Sequence, residues 1–179
     1  DQGLEEDITL LGYSMGGAIV TTFAAKSPDR LRRLILLAPA GMGHELGSAA
    51  RIVKERPILG TWLFYAMYPG QHRTGCEAER GLQSSVENIV DQQLNEQRYR
   101  GWLGAVLSSL RGLLSEVLEA DHRKITREDV PVLAIWGRDD TVIPITAMGR
   151  MAQWDRTARH EVIDGAGHGL AYTHTDAVL

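Results

Sequence analysis

The 179-residue sequence predicts an α/β fold, because three apolar, strand-like runs each pass directly into a glycine-rich loop. Ile8-Thr9-Leu10-Leu11 leads into Gly12-Tyr13-Ser14-Met15-Gly16-Gly17. Val132-Leu133-Ala134-Ile135-Trp136 leads into Gly137-Arg138-Asp139-Asp140-Thr141-Val142-Ile143-Pro144. The weaker run Arg159-His160-Glu161-Val162-Ile163 leads into Asp164-Gly165-Ala166-Gly167-His168-Gly169. A serine, a carboxylate and a histidine thus emerge at the ends of three strands, in the chain order Ser14, Asp140, His168.

The elements follow in order. The first loop opens a small-residue helical stretch, so residues 7–41 read as strand, sharp turn, helix and strand. Ser27-Pro28-Asp29 ends that helix as a breaker and turn. The second strand is Leu34-Ile35-Leu36-Leu37, continuing to Ala38-Pro39-Ala40-Gly41. Glycines beside Ser14 are expected because side chains there would collide at a tight turn. From about 42 to 129 there is no clear strand alternation. Ile58 to Tyr68 reads as an apolar helix ended by Pro69-Gly70, and Trp102 to Leu118 as one long amphipathic helix. Residues 130–179 resume with strand, acid loop, helix, strand and histidine loop, and Thr175-Asp176 would cap the first turn of a final helix.

These motifs together make the chain similar to the α/β-hydrolase superfamily, specifically its esterase and lipase-like branch with a helical cap. The resemblance covers essentially residues 7–179. It implies a mostly parallel sheet flanked by helices, with a core of residues 1–41 and 130–179 and a cap of residues 42–129. The acid loop of that superfamily reads Gly-x-x-Asp-x-x-x-Pro, a spacing that selects Asp140 over Asp139. The implied roles are Ser14 as nucleophile, His168 as general base and then acid, and Asp140 as the group that fixes the imidazole tautomer. The backbone N–H of Met15 would supply one oxyanion-hole donor. The second donor would come from a loop upstream of the strand that carries Ser14. The chain is therefore expected to be the N-terminally incomplete part of a longer enzyme, and residues 1–179 alone are expected to turn over little.

The composition, 44% apolar and 23% charged, is that of a globular domain rather than a disordered chain. A formal net charge of −4 and the lack of any long Lys/Arg run argue against nucleic acid, although Arg30-Leu31-Arg32-Arg33 is locally basic. Cys76 is the sole cysteine, so there is no internal disulfide framework and a cytoplasmic setting fits. No apolar run reaches the roughly 18 to 20 residues that span a bilayer. His44, His72, His122, His160 and His174 lack paired ligand spacing, and no metal or cofactor is expected. His44-Glu45 lies close enough in sequence to the second strand to reach a site entrance.

The expected reaction is hydrolysis of a small-molecule carboxylic ester with an apolar acyl or aromatic group. Trp62, Phe64, Tyr65, Met67 and Trp102 are expected to pack the cap onto the core rather than line a pocket. Ser14-Met15-Gly16-Gly17 and Gly137 to Asp140 also resemble hydrolases of carbon–carbon bonds in ring-opened aromatics, which usually carry Trp where this chain has Gly169. Acyl transfer and a catalytically silent ligand-binding member of the fold are further alternatives. Serine at position 14, where dehalogenases and epoxide hydrolases carry Asp, disfavours those two.

Overall fold

The computed structural model describes residues 3, 5–43 and 48–179. They divide into two compact units, Asp1–His44 with Leu113–Leu179, and Glu45–Gly112.

The first unit is built on a sheet of four parallel strands, β1 (Ile8–Tyr13), β2 (Leu31–Leu37), β3 (Val132–Gly137) and β4 (Arg159–Ile163), in the order β1-β2-β3-β4. Burial on both faces explains the near-continuous apolar runs of β2 and β3. Leu34, Leu36, Val132, Ala134 and Trp136 join one cluster with Ala18, Ala24, Ile125 and Met151. Their neighbours Leu37 and Ile135 join a second cluster with Ala166 and Leu170. Successive side chains of a strand point to opposite faces, so each run feeds both clusters. β2 starts at Leu31, and the basic pair Arg32-Arg33 lies exposed within it.

Helix α1 (Met15–Lys26) follows β1 after a single residue and ends at Ser27, before the 3₁₀ turn Pro28–Arg30. Two glycines let α1 approach the sheet. A Cβ on Gly12 would lie 2.5 Å from both the Gly16 carbonyl oxygen and Val20 Cγ2, and one on Gly17 would lie 2.7 Å from Pro39 Cβ. Gly16 is different: a Cβ there meets nothing within 4 Å. The collision expected on both sides of Ser14 therefore falls on Gly12 and Gly17. Gly12→Ala should destabilise the protein by about 1–3 kcal/mol through overpacking against backbone, while Gly16→Ala should be neutral or stabilising by about 0.5–1 kcal/mol. Urea midpoints of the two variants check this, and equal losses would contradict it.

Helices α6 (Glu119–Arg127) and α7 (Thr146–Trp154) also belong to this unit. Leu118 and Ile125 are buried in the main cluster, the Leu118 N–H donates to the Gly41 carbonyl (2.9 Å), and Met42 forms a β-bridge with Val117. Arg150 fastens the same corner by donating to the carbonyls of Met42 and Gly43. Residues 113–129, expected in the cap, thus group with the sheet, with Leu118 and Ile125 buried in its main cluster.

A buried polar group lies in this unit. His122 is fully buried, and neither ring nitrogen has a hydrogen-bond partner. Asp155 is also buried, and its Oδ1 accepts from the Thr157 N–H (3.1 Å), the Thr157 hydroxyl (2.8 Å) and the Ala158 N–H (3.1 Å). Trp136 Nε1 donates to His160 Nδ1 at 3.1 Å. Burial pushes the His122 pKa down to about 4, against a smaller opposing pull from Asp155. Burial also lowers His160. Below the ordinary histidine pKa the unfolded chain takes up a proton that folded His122 refuses, so stability falls as pH drops from about 6.5 to about 4. The loss should approach about 3 kcal/mol across that window. Denaturation midpoints between pH 7.5 and 4.5 should show it, and His122→Leu should flatten it.

The second unit contains α2 (Ser48–Glu55), α3 (Pro57–Ala78), α4 (Ile89–Glu96) and α5 (Trp102–Arg111). Val53, Phe64 and Leu107 form its core, with Leu63, Tyr68, Leu103, Val106 and Leu110 packed around them. Arg111 ties α2, α3 and α5 together. It donates to the carbonyls of Val53 (2.9 Å) and Pro57 (3.0 Å) and to the Thr61 hydroxyl (3.0 Å).

Two helix predictions need correction. α3 does not stop at Pro69-Gly70 but runs through them. Proline costs the helix one hydrogen bond, and contacts on both sides offset it. Tyr68 lies 5.9 Å and His72 4.9 Å from the Trp102 ring, and His72 Nδ1 is 2.8 Å from Gln97 Nε2. The helix expected from Trp102 to Leu118 ends instead at Arg111. Gly112, with φ −101° and ψ −120°, turns the chain into a 3₁₀ turn at Leu113–Ser115. Among the described residues, no helix is long and apolar enough to cross a membrane.

Candidate active site

All three predicted site residues lie in the first unit, beyond the carboxyl ends of parallel strands, where ligands bind in open α/β sheets. Ser14 is the single residue between β1 and α1. Its φ of 52° and ψ of −119° are unusual for a residue with a side chain and cost roughly 1–3 kcal/mol. Three backbone hydrogen bonds hold this conformation. The Ser14 N–H donates to the Leu37 carbonyl (2.9 Å), and the Ser14 carbonyl accepts from Gly17 (3.0 Å) and Ala40 (3.0 Å). The turn that carries Ser14 is thereby anchored to β2 and to the segment after it. Met15 is the first residue of α1, where backbone N–H groups have no acceptor within the helix.

Asp140 is buried, whereas Asp139 is exposed. Asp140 Oδ1 accepts the N–H groups of Val142 and Ile143, both at 2.8 Å, which fixes the carboxylate within its own loop. Its Oδ2 lies 2.8 Å from His168 Nδ1. A carboxylate can only accept, so Nδ1 carries the proton and donates. His168 Nε2 is then the acceptor for the Ser14 hydroxyl, 2.9 Å away. Ser14, His168 and Asp140 form one continuous hydrogen-bonded chain.

The acid and histidine loops lie against one another. The Arg138 N–H donates to the Ile163 carbonyl (3.0 Å) and the Asp139 N–H to the Ala166 carbonyl (2.9 Å). Gly137 makes this approach possible, because a Cβ there would sit 2.5 Å from the Ala166 oxygen and 2.7 Å from the Gly167 oxygen. Arg138 and Asp164 form an exposed ion pair across the two loops. Asp139 thus contributes its backbone N–H to loop pairing, and its side chain faces solvent.

Sequence reasoning missed Tyr13, which occupies a variable place in the Gly-x-Ser-x-Gly pattern. Its hydroxyl donates to the His168 carbonyl at 2.7 Å, and its ring centroid lies 5.3 Å from the imidazole. The available signal was a polar-tipped aromatic at the end of an apolar strand. Of the apolar residues expected to pack, Phe64 is buried and Trp102 is half-buried within the second unit. Trp62 (75% exposed), Tyr65 and Met67 are exposed. Tyr65 nonetheless keeps an edge contact with the Phe64 ring, 6.1 Å between centroids. His44-Glu45 lies outside the described residues. At Gly169 a Cβ would meet the Tyr172 ring at 2.7 Å, so the position before α8 (Leu170–Thr173) is filled by an aromatic from three residues on.

A parallel sheet with a strained serine between strand and helix, and with acid and histidine loops in this order, has the architecture of the α/β-hydrolase superfamily. Residues 1–173 match the Hydrolase_4 family (serine aminopeptidase, S33), to which the chain belongs. It is similar to 2-hydroxy-6-oxo-6-phenylhexa-2,4-dienoate hydrolase of Burkholderia cepacia, at 26% identity over 94% of this chain and 58% of that protein. It is also 26% identical to pimeloyl-[acyl-carrier protein] methyl ester esterase of Aeromonas hydrophila, over 96% of this chain and 67% of that one. In fold it matches a 2-hydroxy-6-oxo-6-phenylhexa-2,4-dienoate hydrolase from Rhodococcus sp. strain RHA1, with TM-score 0.71, 20% identity, and coverage of 98% of this chain and 62% of that one. A thermophilic esterase from Thermogutta terrifontis matches with TM-score 0.67, 21% identity, and coverage of 98% and 63%. The chain spans 58% of the length of the Burkholderia relative.

Proposed function

We propose that the protein is a serine hydrolase that cleaves carboxylic esters of small molecules through an acyl-enzyme. The observation that carries this reading is the chain from Ser14 Oγ to His168 Nε2 (2.9 Å) and from His168 Nδ1 to Asp140 Oδ2 (2.8 Å). A serine hydroxyl is a weak nucleophile at neutral pH unless an adjacent base removes its proton. In the first step Ser14 Oγ attacks the ester carbonyl while its proton passes to His168 Nε2. The tetrahedral oxyanion is stabilised by N–H groups at the start of α1, with Met15 foremost, as the helix dipole favours negative charge there. Collapse of the intermediate returns the proton from His168 to the departing alcohol and leaves an acyl-Ser14 ester. Water then attacks that ester with His168 again as base, releasing the acid and restoring the serine. Asp140 stabilises the imidazolium formed in both steps without taking its proton.

Similarity to dienoate hydrolases favours a second reading, in which the same residues cleave a carbon–carbon bond of a ring-opened aromatic. Gly169, with the Tyr172 ring against it, departs from the Trp expected in that group. A panel of p-nitrophenyl esters and a ring-cleavage dienoate, assayed on the whole protein with Ser14→Ala as control, separates the two. Ester turnover that needs Ser14 supports the first reading, and turnover of the dienoate alone supports the second.

A further inference from the structure

We infer that Tyr13 is a positioning residue for the general base, locking the histidine loop to the strand that carries the nucleophile. The inference rests on the reading of Ser14 and His168 as nucleophile and base. Tyr13 is the last residue of β1 and is bonded directly to Ser14. Its hydroxyl reaches 155 positions along the chain to donate to the His168 carbonyl at 2.7 Å. Its ring lies 5.3 Å from the imidazole at an interplanar angle of 33°.

The histidine loop is tied mainly to the acid loop and to the core beneath it. Gly165 takes a φ of 74°, the Ala166 carbonyl receives the Asp139 N–H at 2.9 Å, and the Ala166 N–H reaches the Ile163 carbonyl at a long 3.4 Å. Beyond His168, the Gly169 carbonyl accepts from Tyr172 and Thr173. On the described contacts, the His168 carbonyl itself is held from the nucleophile's side by Tyr13. One rigid side chain therefore couples the two backbones whose separation sets the Ser14–His168 distance.

The coupling matters because proton transfer is steep in geometry. A shift of the base by about 1 Å can cost on the order of 10²-fold in rate. The hydrogen bond places the backbone, and the tyrosine ring limits the directions in which the imidazole can tilt.

Tyr13→Phe tests this by removing one oxygen while keeping the ring and its packing. It should lower kcat about tenfold through displacement of the base by a fraction of an ångström, with KM within about twofold and Tm lower by only the few degrees that one lost hydrogen bond costs. It should slow fluorophosphonate labelling of Ser14 by a similar factor. The downfield proton resonance of His168 Nδ1–H against Asp140 should broaden through faster exchange. Labelling read at low temperature, where a weakened fold still holds, keeps the test valid if the variant loses stability. Wild-type kcat and labelling rate in Tyr13→Phe would overturn the inference. So would a loss of rate that vanishes at low temperature, where the fold holds, since Tyr13 would then act through global stability alone. If wild-type Ser14 takes no label and Ser14→Ala changes no turnover, the reading of the site fails instead.

Discussion

Ser14→Ala is expected to lower kcat by on the order of 10⁶-fold and to abolish fluorophosphonate labelling, with little change in fold. The loss is large because nucleophile and base act as a unit, so His168 has no proton to move once the hydroxyl is gone. Alanine keeps the Cβ, and the backbone hydrogen bonds to the Leu37 carbonyl and from the Gly17 and Ala40 N–H groups do not involve the hydroxyl. The φ of 52° is already tolerated with a Cβ present. A melting temperature close to wild type should therefore accompany the loss of turnover, which identifies the effect as chemical. Labelling that survives the substitution would move the nucleophile elsewhere.

How much of this was legible in the sequence depended on how local each determinant is. The strands were readable because a parallel strand buried on both faces needs an unbroken apolar run, as in Leu34–Leu37 and Val132–Trp136. The site residues were readable for a related reason. Each sits within a few residues of a strand end, so the glycines that shape its loop lie beside it in sequence. What was not legible depended on partners far along the chain. Pro69 marks a helix end by local rules, yet Trp102 and Gln97 pack against the far side of that proline and the helix continues. Leu118 and Ile125 continue the helical spacing of the cap, and only their burial against the sheet places residues 113–129 with the core. Gly12 and Gly17, rather than Gly16, carry the packing constraint because it comes from α1 and Pro39, which no count along the motif reveals. Tyr13 was overlooked because its partner lies 155 positions further along the chain.

The adjacent acids give the second large effect. Asp140→Asn is expected to lower kcat about 10⁴-fold, and Asp139→Asn to change it by no more than about two- to threefold. Asparagine at 140 keeps an Oδ1 that can accept from Val142 and Ile143, so the loop should hold its shape. The other terminal atom becomes an amide N–H₂, which can only donate toward His168 Nδ1. Nδ1 must then be the bare nitrogen and Nε2 the protonated one, which leaves Nε2 unable to accept the Ser14 proton. The damage is to the tautomer, not the architecture, and kcat should fall with KM and Tm nearly unmoved. Asp140→Ala would be a poorer test, because it also removes the acceptor for two backbone N–H groups and would mix loop loosening with chemistry. Asp139 offers a contrast one residue away: its side chain is exposed, and its contribution to loop pairing is the backbone N–H to Ala166, which asparagine retains. Side-by-side kcat measurements on the two Asn variants decide the matter. A larger loss at Asp139 would mean that the acid loop presents its other carboxylate to His168.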